Sequence, residues 1–142
     1  METTDKSTEV AKTSLLKVLL VEDDLVNQEL FAEYLNILDT DVTVASCANS
    51  AISALEAEKS SGGFDLVLMD LHMPQKDGVQ ATIEWREIED KEKLKPTTIY
   101  AITADVRIEE RCRCMDSGMN GFLSKPFRLR DLKRLLDEVK SQ

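Results

Sequence analysis

The chain has 142 residues, enough for one domain, and its 42% share of hydrophobic residues excludes wholesale disorder. Its 27 acidic and 18 basic residues give a formal net charge of −9, which argues against direct nucleic-acid binding and suits a site for a hard cation. No apolar run approaches the ~20 residues of a membrane-spanning helix. Residues 1–14 also lack the apolar core of a signal peptide, so we expect a cytoplasmic protein without direct membrane contact.

Residues 1–14 are rich in Thr, Ser, Lys and Glu, which predicts a disordered tail or a linker. Residues 15–142 alternate short apolar runs with amphipathic stretches and are expected to form one domain. The apolar runs predict strands at 17–21, 42–46, 64–70, 97–104 and 121–124. The amphipathic stretches predict helices at 24–38, 48–60, 79–92, 105–118 and 129–140.

Two of these helices carry more detailed expectations. Apolar residues at helical spacing predict the inward face of helix 24–38, namely Val26, Leu30, Tyr34, Ile37 and Leu38. Helix 105–118 is expected to begin at Asp105, because an acidic residue is favourable at a helix start, and to end before Gly118.

The order of elements is strand–helix, repeated five times. This alternation predicts an α/β fold, a doubly wound parallel sheet with helices on both faces. In such sheets ligands bind outside the carboxyl ends of the strands. The residues that follow each strand are therefore the first candidates for a functional site.

Polar residues follow four of the five predicted strands. They are Glu22-Asp23-Asp24, Asp70, Thr103-Ala104 and Lys125. Clustered carboxylates with room for water suit Mg²⁺. A lysine and a hydroxyl beside them complete the parts for phosphoryl transfer onto an aspartate. Asp24 is either a third acid of this site or the N-cap of the helix that follows.

The segments VLLVEDDLVNQ, DLVLMDLHMPQKDG, AITA and GMNGFLSKPF resemble the receiver domain of two-component response regulators. They are most similar to receivers attached to hybrid sensor histidine kinases. The resemblance implies a flavodoxin-like sheet of order 2-1-3-4-5 within residues 15–142. It also implies a phosphoprotein of a phosphorelay that catalyses its own phosphorylation and dephosphorylation, and not a conventional enzyme.

The same resemblance assigns a role to each site residue. It implies that Asp70 is the phosphoacceptor, that Asp23 and Asp70 bind Mg²⁺ directly, and that Glu22 binds it through water. The backbone carbonyl of His72 is expected to be a further ligand. The Thr103 hydroxyl is expected to bond a phosphoryl oxygen after modification, with the Ala104 backbone N–H nearby, and Lys125 is expected to hold another phosphoryl oxygen. The resemblance also implies a cis Lys125–Pro126 peptide bond.

The resemblance implies a histidine kinase or a histidine phosphotransfer protein as the phosphoryl donor. Thr103 and Phe122 are the expected switch residues that couple Asp70 to an output surface formed by residues 105–140. The chain is expected to be either a stand-alone receiver or part of a hybrid histidine kinase.

Two other functions have to be weighed against this one. A haloacid-dehalogenase-like phosphatase also uses an aspartate at a strand end with Mg²⁺, but it needs a second aspartate two residues later, where this chain has His72. A degenerate receiver that no longer accepts phosphate is expected to have lost Asp70, Lys125 or one of the paired acids, and all of them are present.

Overall fold

A computed structural model of the chain describes residues 15–142, so the predicted tail at 1–14 lies outside the described residues. The strands are β1 (Lys17–Val21), β2 (Asp41–Ala45), β3 (Leu66–Asp70), β4 (Ile99–Thr103) and β5 (Gly121–Ser124). The helices are α1 (Leu25–Ile37), α2 (Ala48–Glu58), α3 (Gly78–Glu92), α4 (Ile108–Ser117) and α5 (Leu129–Lys140). A single 3₁₀ turn (Lys59–Ser61) follows α2.

The five strands form one parallel sheet in the order β2-β1-β3-β4-β5, which confirms the predicted fold. Every residue of β3 is buried, because helices cover both faces of the sheet. Alternate strand residues therefore enter two separate cores. One core packs against α2, α3 and α4, and the other packs against α1 and α5.

The predicted inward face of α1 is correct for Tyr34 and Leu38, which are half-buried against the core, and wrong for the other three residues. Phe31 and Leu35 are its buried residues, whereas Val26, Leu30 and Ile37 are 72%, 41% and 56% exposed. Both sets lie at helical spacing, so periodicity alone does not distinguish them. The buried stripe is the one that meets the sheet, and the other forms an exposed apolar stripe on α1.

The predicted start of α4 at Asp105 is also wrong, because the helix begins at Ile108 and Arg107 is its N-cap. The Asp105 backbone N–H donates to the Thr103 hydroxyl oxygen at 3.0 Å, and the Asp105 carboxylate accepts from the Arg107 backbone N–H at 3.1 Å. These bonds hold the residues after β4 in a turn, which competes with helix formation. Two strands are also shorter than predicted, since β3 begins at Leu66 and β4 spans Ile99–Thr103.

The start of α3 lies directly against the end of β3. A Cβ atom added to Gly78 would be 2.4 Å from the Asp70 carbonyl oxygen, so only glycine permits this approach. Asp77 caps the helix by accepting from the Gln80 backbone N–H at 2.9 Å. No helix among residues 15–142 is both long and apolar enough to cross a membrane.

Candidate functional site

The structure gathers the predicted site residues at the carboxyl edge of the sheet. Glu22 and Asp23 directly follow β1, and Asp70 is the last residue of β3. Thr103 is the last residue of β4, and Lys125 follows β5. Because all the strands are parallel, four separate segments of the chain converge on one edge.

Three carboxylates form the centre of the site. Oxygen atoms of Glu22, Asp23 and Asp70 lie within 4.8 Å of one another. Glu22 is 1% exposed and Asp70 is 3% exposed, whereas Asp23 faces solvent. The Gln28 side chain donates to the Glu22 carbonyl at 2.6 Å, and the Asp24 backbone N–H donates to Glu22 Oε2 at 3.2 Å. These bonds fix the buried glutamate in position.

Lys125 provides the positive charge beside the acids. Its Nζ is 3.0 Å from Glu22 Oε1 and 3.5 Å from Asp70 Oδ1. Burial raises the pKa of Asp70 to about 7, and the neighbouring Glu22 adds to the rise, whereas the Lys125 charge opposes it. A single lysine therefore does not offset the crowding of carboxylates in a buried place.

The residues present suit a hard divalent cation. Within residues 15–142, the buried Glu22 Oε1 is approached by the Lys125 ammonium alone, at 3.0 Å. Three carboxylates within 4.8 Å of one another beside one lysine keep an excess of negative charge, which a divalent cation offsets. An all-oxygen donor set with one solvent-facing carboxylate matches Mg²⁺, which keeps several of its waters. The donors therefore fit the predicted ion.

Thr103 lies next to the acids and is 2% exposed. Its hydroxyl oxygen accepts from the Asp105 backbone N–H at 3.0 Å, which leaves its own proton free to donate. The Thr103 carbonyl accepts from the Lys125 backbone N–H at 2.7 Å, so the hydroxyl and the lysine stand on backbone segments that are hydrogen-bonded to each other. Ala104 follows at the same edge and is exposed, and the role of its N–H stays a prediction.

Two further expectations can be compared with the structure. Asp24 is the N-cap of α1 and accepts from the Val26 backbone N–H at 3.0 Å, which confirms the capping alternative. The Lys125–Pro126 peptide bond is cis, as predicted.

His72 has an exposed side chain, and its backbone N–H donates to Asp70 Oδ1 at 3.2 Å. The proposed use of its carbonyl as a ligand stays a prediction.

Phe122, the predicted switch residue, is half-buried in β5. The guanidinium carbon of Arg111 lies 4.6 Å from the centre of its ring, a cation–π contact. The sequence did not single out Arg111, because this contact depends on how α4 packs against β5. It also did not single out Gln28, whose bond to Glu22 depends on the position of α1.

Comparison with known proteins agrees with this geometry. The family model described as "Response regulator receiver domain" matches residues 18–137. Among curated proteins, Hybrid signal transduction histidine kinase B of Dictyostelium discoideum is 34% identical, over 89% of this chain and 7% of its own length. Transcription factor SKN7 of Saccharomyces cerevisiae is 39% identical, over 84% of this chain and 18% of its own length.

Two solved structures are informative. The receiver domain of sensor histidine kinase PA1611 from Pseudomonas aeruginosa, with magnesium coordinated in its active-site cleft, has a TM-score of 0.74 and 32% identity, covering 91% of this chain and 100% of that one. The receiver domain of Ssk1 of Saccharomyces cerevisiae, solved with the histidine phosphotransfer protein Ypd1, has a TM-score of 0.80 and 27% identity, covering 87% of this chain and 88% of that one.

The chain spans less than a tenth of the length of the hybrid kinase compared above, so the match concerns one module of that protein. The family model covers most of the chain, and the sheet order is the one predicted for that family. The chain therefore belongs to the response regulator receiver domains, the phosphoacceptor modules of two-component signalling.

Proposed function

We propose that this receiver domain, residues 15–142, takes its phosphoryl group on Asp70. The observation that carries the proposal is the position of that carboxylate, which is 3% exposed, within 4.8 Å of two other acids and 3.5 Å from Lys125. A carboxylate oxygen of Asp70 attacks the phosphorus of the donor. The bond from phosphorus to the donor's imidazole nitrogen, or to acetate, breaks as an acyl phosphate forms. The domain catalyses this transfer and the later hydrolysis on itself.

We assign Asp23 and Asp70 as direct ligands of Mg²⁺, with Glu22 acting through water and the His72 carbonyl as a further ligand. The ion supplies positive charge for the oxygens of the transferred group. The grouping of the three carboxylates within 4.8 Å and the solvent-facing Asp23 support this arrangement.

Three groups of the chain act on the transferred phosphoryl group in this proposal. The Thr103 hydroxyl has a free proton to donate, Lys125 contributes a charge-assisted hydrogen bond, and the Ala104 N–H is a third donor. Movement of Thr103 toward the phosphoryl group changes the packing of Phe122, and residues 105–140 form the output surface. The contacts of Thr103 with Asp105 and Lys125 support this route.

The proposed donor is a histidine kinase or a histidine phosphotransfer protein. Exposed apolar residues flank the site on two sides, Leu25 and Val26 after β1 and Val106 and Ile108 after β4. Exposed apolar patches beside a reactive group are typical of protein-binding surfaces. The Ssk1 receiver was solved with such a phosphotransfer protein, which supports this class of donor. We expect no direct contact with nucleic acid or membrane, and a cytoplasmic location.

Hybrid histidine kinases among the similar proteins favour a receiver that is part of such a kinase, and the alternative is a stand-alone regulator. The reading frame upstream of Met1 tests this. Continuous kinase-coding sequence supports the hybrid arrangement, and a stop codon in frame contradicts it.

The central experiment is intact-mass analysis after incubation with acetyl phosphate, with and without Mg²⁺. We expect one phosphate adduct in the presence of Mg²⁺ and none in Asp70→Asn. The exposed acid Asp90 provides the matched control, since Asp90→Asn is expected to react like the wild type. Labelling of Asp70→Asn at the wild-type rate would contradict the assignment. Catalytic hydrolysis of a generic phosphate ester would favour the phosphatase alternative.

A further inference from the structure

A second group of side chains that could hold a metal ion lies beside the phosphoacceptor edge, the carboxyl edge of the sheet that carries Asp70. These side chains have no role in the phosphoryl transfer proposed above. Ligand atoms of His72, Asp105 and Glu110 lie within 4.8 Å of one another. They come from the loop after β3, the loop after β4 and helix α4. We propose that these three side chains bind a divalent transition-metal ion of the Zn²⁺ class.

The chemistry of the donors separates this group from the Mg²⁺ site. Imidazole is a ligand for Zn²⁺ and its neighbours in the transition series, whereas Mg²⁺ selects oxygen. One nitrogen and two carboxylates are three protein ligands, and a fourth position is left for water or a ligand from a partner. The sequence contains a single histidine, so the selectivity of this site rests on His72.

Each of the three residues is held in place by contacts other than the metal. The His72 backbone N–H donates to Asp70 Oδ1 at 3.2 Å, and the Asp105 backbone N–H donates to the Thr103 hydroxyl oxygen at 3.0 Å. Glu110 is 8% exposed. Two of the donors therefore project from short segments anchored at the carboxyl edge of the sheet, and the third from the first turn of α4.

Two arginines compete with a metal ion for the carboxylates. Arg107 donates to both oxygens of Asp105, at 2.7 to 3.2 Å, and Arg113 donates to Glu110 Oε1 at 3.2 Å. The Arg107 side chain is 73% exposed, and an ion pair so open to solvent contributes little stability. Metal binding requires this guanidinium to turn away from Asp105.

A tetrahedral ion with bonds of ~2.0–2.2 Å holds its ligand atoms about 3.4 Å apart. Ligand atoms that lie within 4.8 Å of one another therefore have to approach by at most about 1.4 Å, which small rotations of the three side chains supply. The bound ion joins the loop after Asp70 to the loop after Thr103. It thus connects the phosphoacceptor strand to the start of the proposed output surface, and the binding itself does not depend on the proposed function.

The test is a titration of the whole chain with Zn²⁺ in saturating Mg²⁺, followed by calorimetry and by the ring resonances of its single histidine. We expect one Zn²⁺ per chain and a large shift of the His72 ring signals. His72→Ala is expected to weaken Zn²⁺ binding at least tenfold. Arg107→Ala is expected to strengthen it severalfold, because Asp105 is released. Because Arg107→Ala is expected to gain Zn²⁺ affinity, a folding defect cannot imitate its expected result.

Three control variants exclude other sites for the ion. Asp23→Ala reports on the Mg²⁺ site, and Cys47→Ser and Cys112→Ser report on the two exposed thiols. All three are expected to bind Zn²⁺ as the wild type does. Wild-type affinity in His72→Ala, a loss in any of these controls, or unchanged or weaker binding in Arg107→Ala would overturn the proposal.

Discussion

Asp70 illustrates how a functional residue is held at a cost to stability. Its carboxylate is buried beside Glu22, and burial raises its pKa from an ordinary value of 3.8 to about 7. Between these two values the folded chain keeps a proton that the unfolded chain has released. Unfolding then loses a proton, so the contribution of Asp70 to stability falls as pH rises through this window.

We expect Asp70→Asn to be more stable than the wild type above pH 7 without divalent ions. The separation between 3.8 and about 7 corresponds to an upper limit of ~4 kcal/mol. The stability advantage of Asp70→Asn is expected to shrink as pH falls toward 4. Asp70 of the folded wild type is then already protonated, and Asp70 of the unfolded chain begins to take up its proton. Urea unfolding of both chains in a chelator from pH 4 to 8 measures this. A difference that does not vary with pH would contradict the raised pKa.

The neighbouring acids Asp23 and Asp24 are adjacent in sequence but have different roles in the structure. Asp23 belongs to the carboxylate group of the site, whereas Asp24 caps α1. We expect Asp23→Ala to lower Mg²⁺ affinity at least tenfold, which is ~1.4 kcal/mol, and Asp24→Ala to lower it much less. Asp24→Ala is instead expected to cost about 1 kcal/mol of stability through the lost cap.

Calorimetric titration with Mg²⁺ and urea unfolding of the two variants separate these effects. The variants serve as controls for each other, because each removes one negative charge from the same turn. Equal losses of Mg²⁺ affinity in both variants would refute the distinction.

At the scale of the element, α1 carries two apolar stripes, and only one of them contributes to the core. Phe31 and Leu35 are buried, whereas Val26 and Leu30 are exposed. Because α1 begins directly after the site acids, the first turns of the exposed stripe lie beside the phosphoacceptor edge. This position suits contact with a protein that brings phosphohistidine to Asp70.

We therefore expect Val26→Glu to slow phosphoryl transfer from a phosphorylated histidine phosphotransfer protein, the proposed class of donor, about tenfold and to leave labelling by acetyl phosphate unchanged. The small donor needs no docking surface, so only the protein donor is affected. Val26 is 72% exposed, so the substitution is not expected to disturb folding. A loss of transfer from the protein donor alone therefore indicates a docking defect.

Met115→Glu is the matched control for this experiment. Met115 is 52% exposed and lies in the last turns of α4, toward the edge of the sheet opposite to the site, since the helices run back across the parallel strands. We expect it to react with both donors as the wild type does. An equal effect of Val26→Glu on both donors would contradict docking through α1.

At the scale of the whole molecule, the alternation of apolar runs and amphipathic stretches was sufficient to predict a parallel sheet with helices on both faces, whereas the strand order came from the resemblance to receiver domains. The site acids, Thr103 and Lys125 were predictable for the same reason, since the topology brings strand ends together. What periodicity did not resolve was the choice between two stripes on α1. Two other features were not predictable from the sequence. The contact of Arg111 with Phe122 depends on tertiary packing, and the turn at Asp105 depends on local hydrogen bonds.

The Phe122 ring, in contact with Arg111 at 4.6 Å, has to change its surroundings if the site communicates with residues 105–140. Lys125 is the cation beside the site that belongs to this part of the chain, and it is joined to Thr103 by a backbone hydrogen bond of 2.7 Å. In the proposed switch, a new bond from Lys125 to a phosphoryl oxygen would favour a second packing of the Phe122 ring over the one described here. A population shift requires such a differential contact, and ~1–3 kcal/mol of coupling is sufficient.

We expect Lys125→Ala to accept a phosphoryl group from acetyl phosphate more slowly, while its amide chemical shifts in 105–140 stay near their unphosphorylated values. The reason is that, in the proposed mechanism, Mg²⁺ provides positive charge for the transfer, whereas Lys125 links the phosphoryl oxygens to β5. Lys59→Ala is the matched control, because within residues 15–142 the ion pairs of Lys59 are those with Glu56 and Glu92, neither of which is a site residue. It is expected to show the full shift on phosphorylation. A wild-type shift pattern in phosphorylated Lys125→Ala would mean that the signal reaches the 105–140 surface through Thr103 without the lysine.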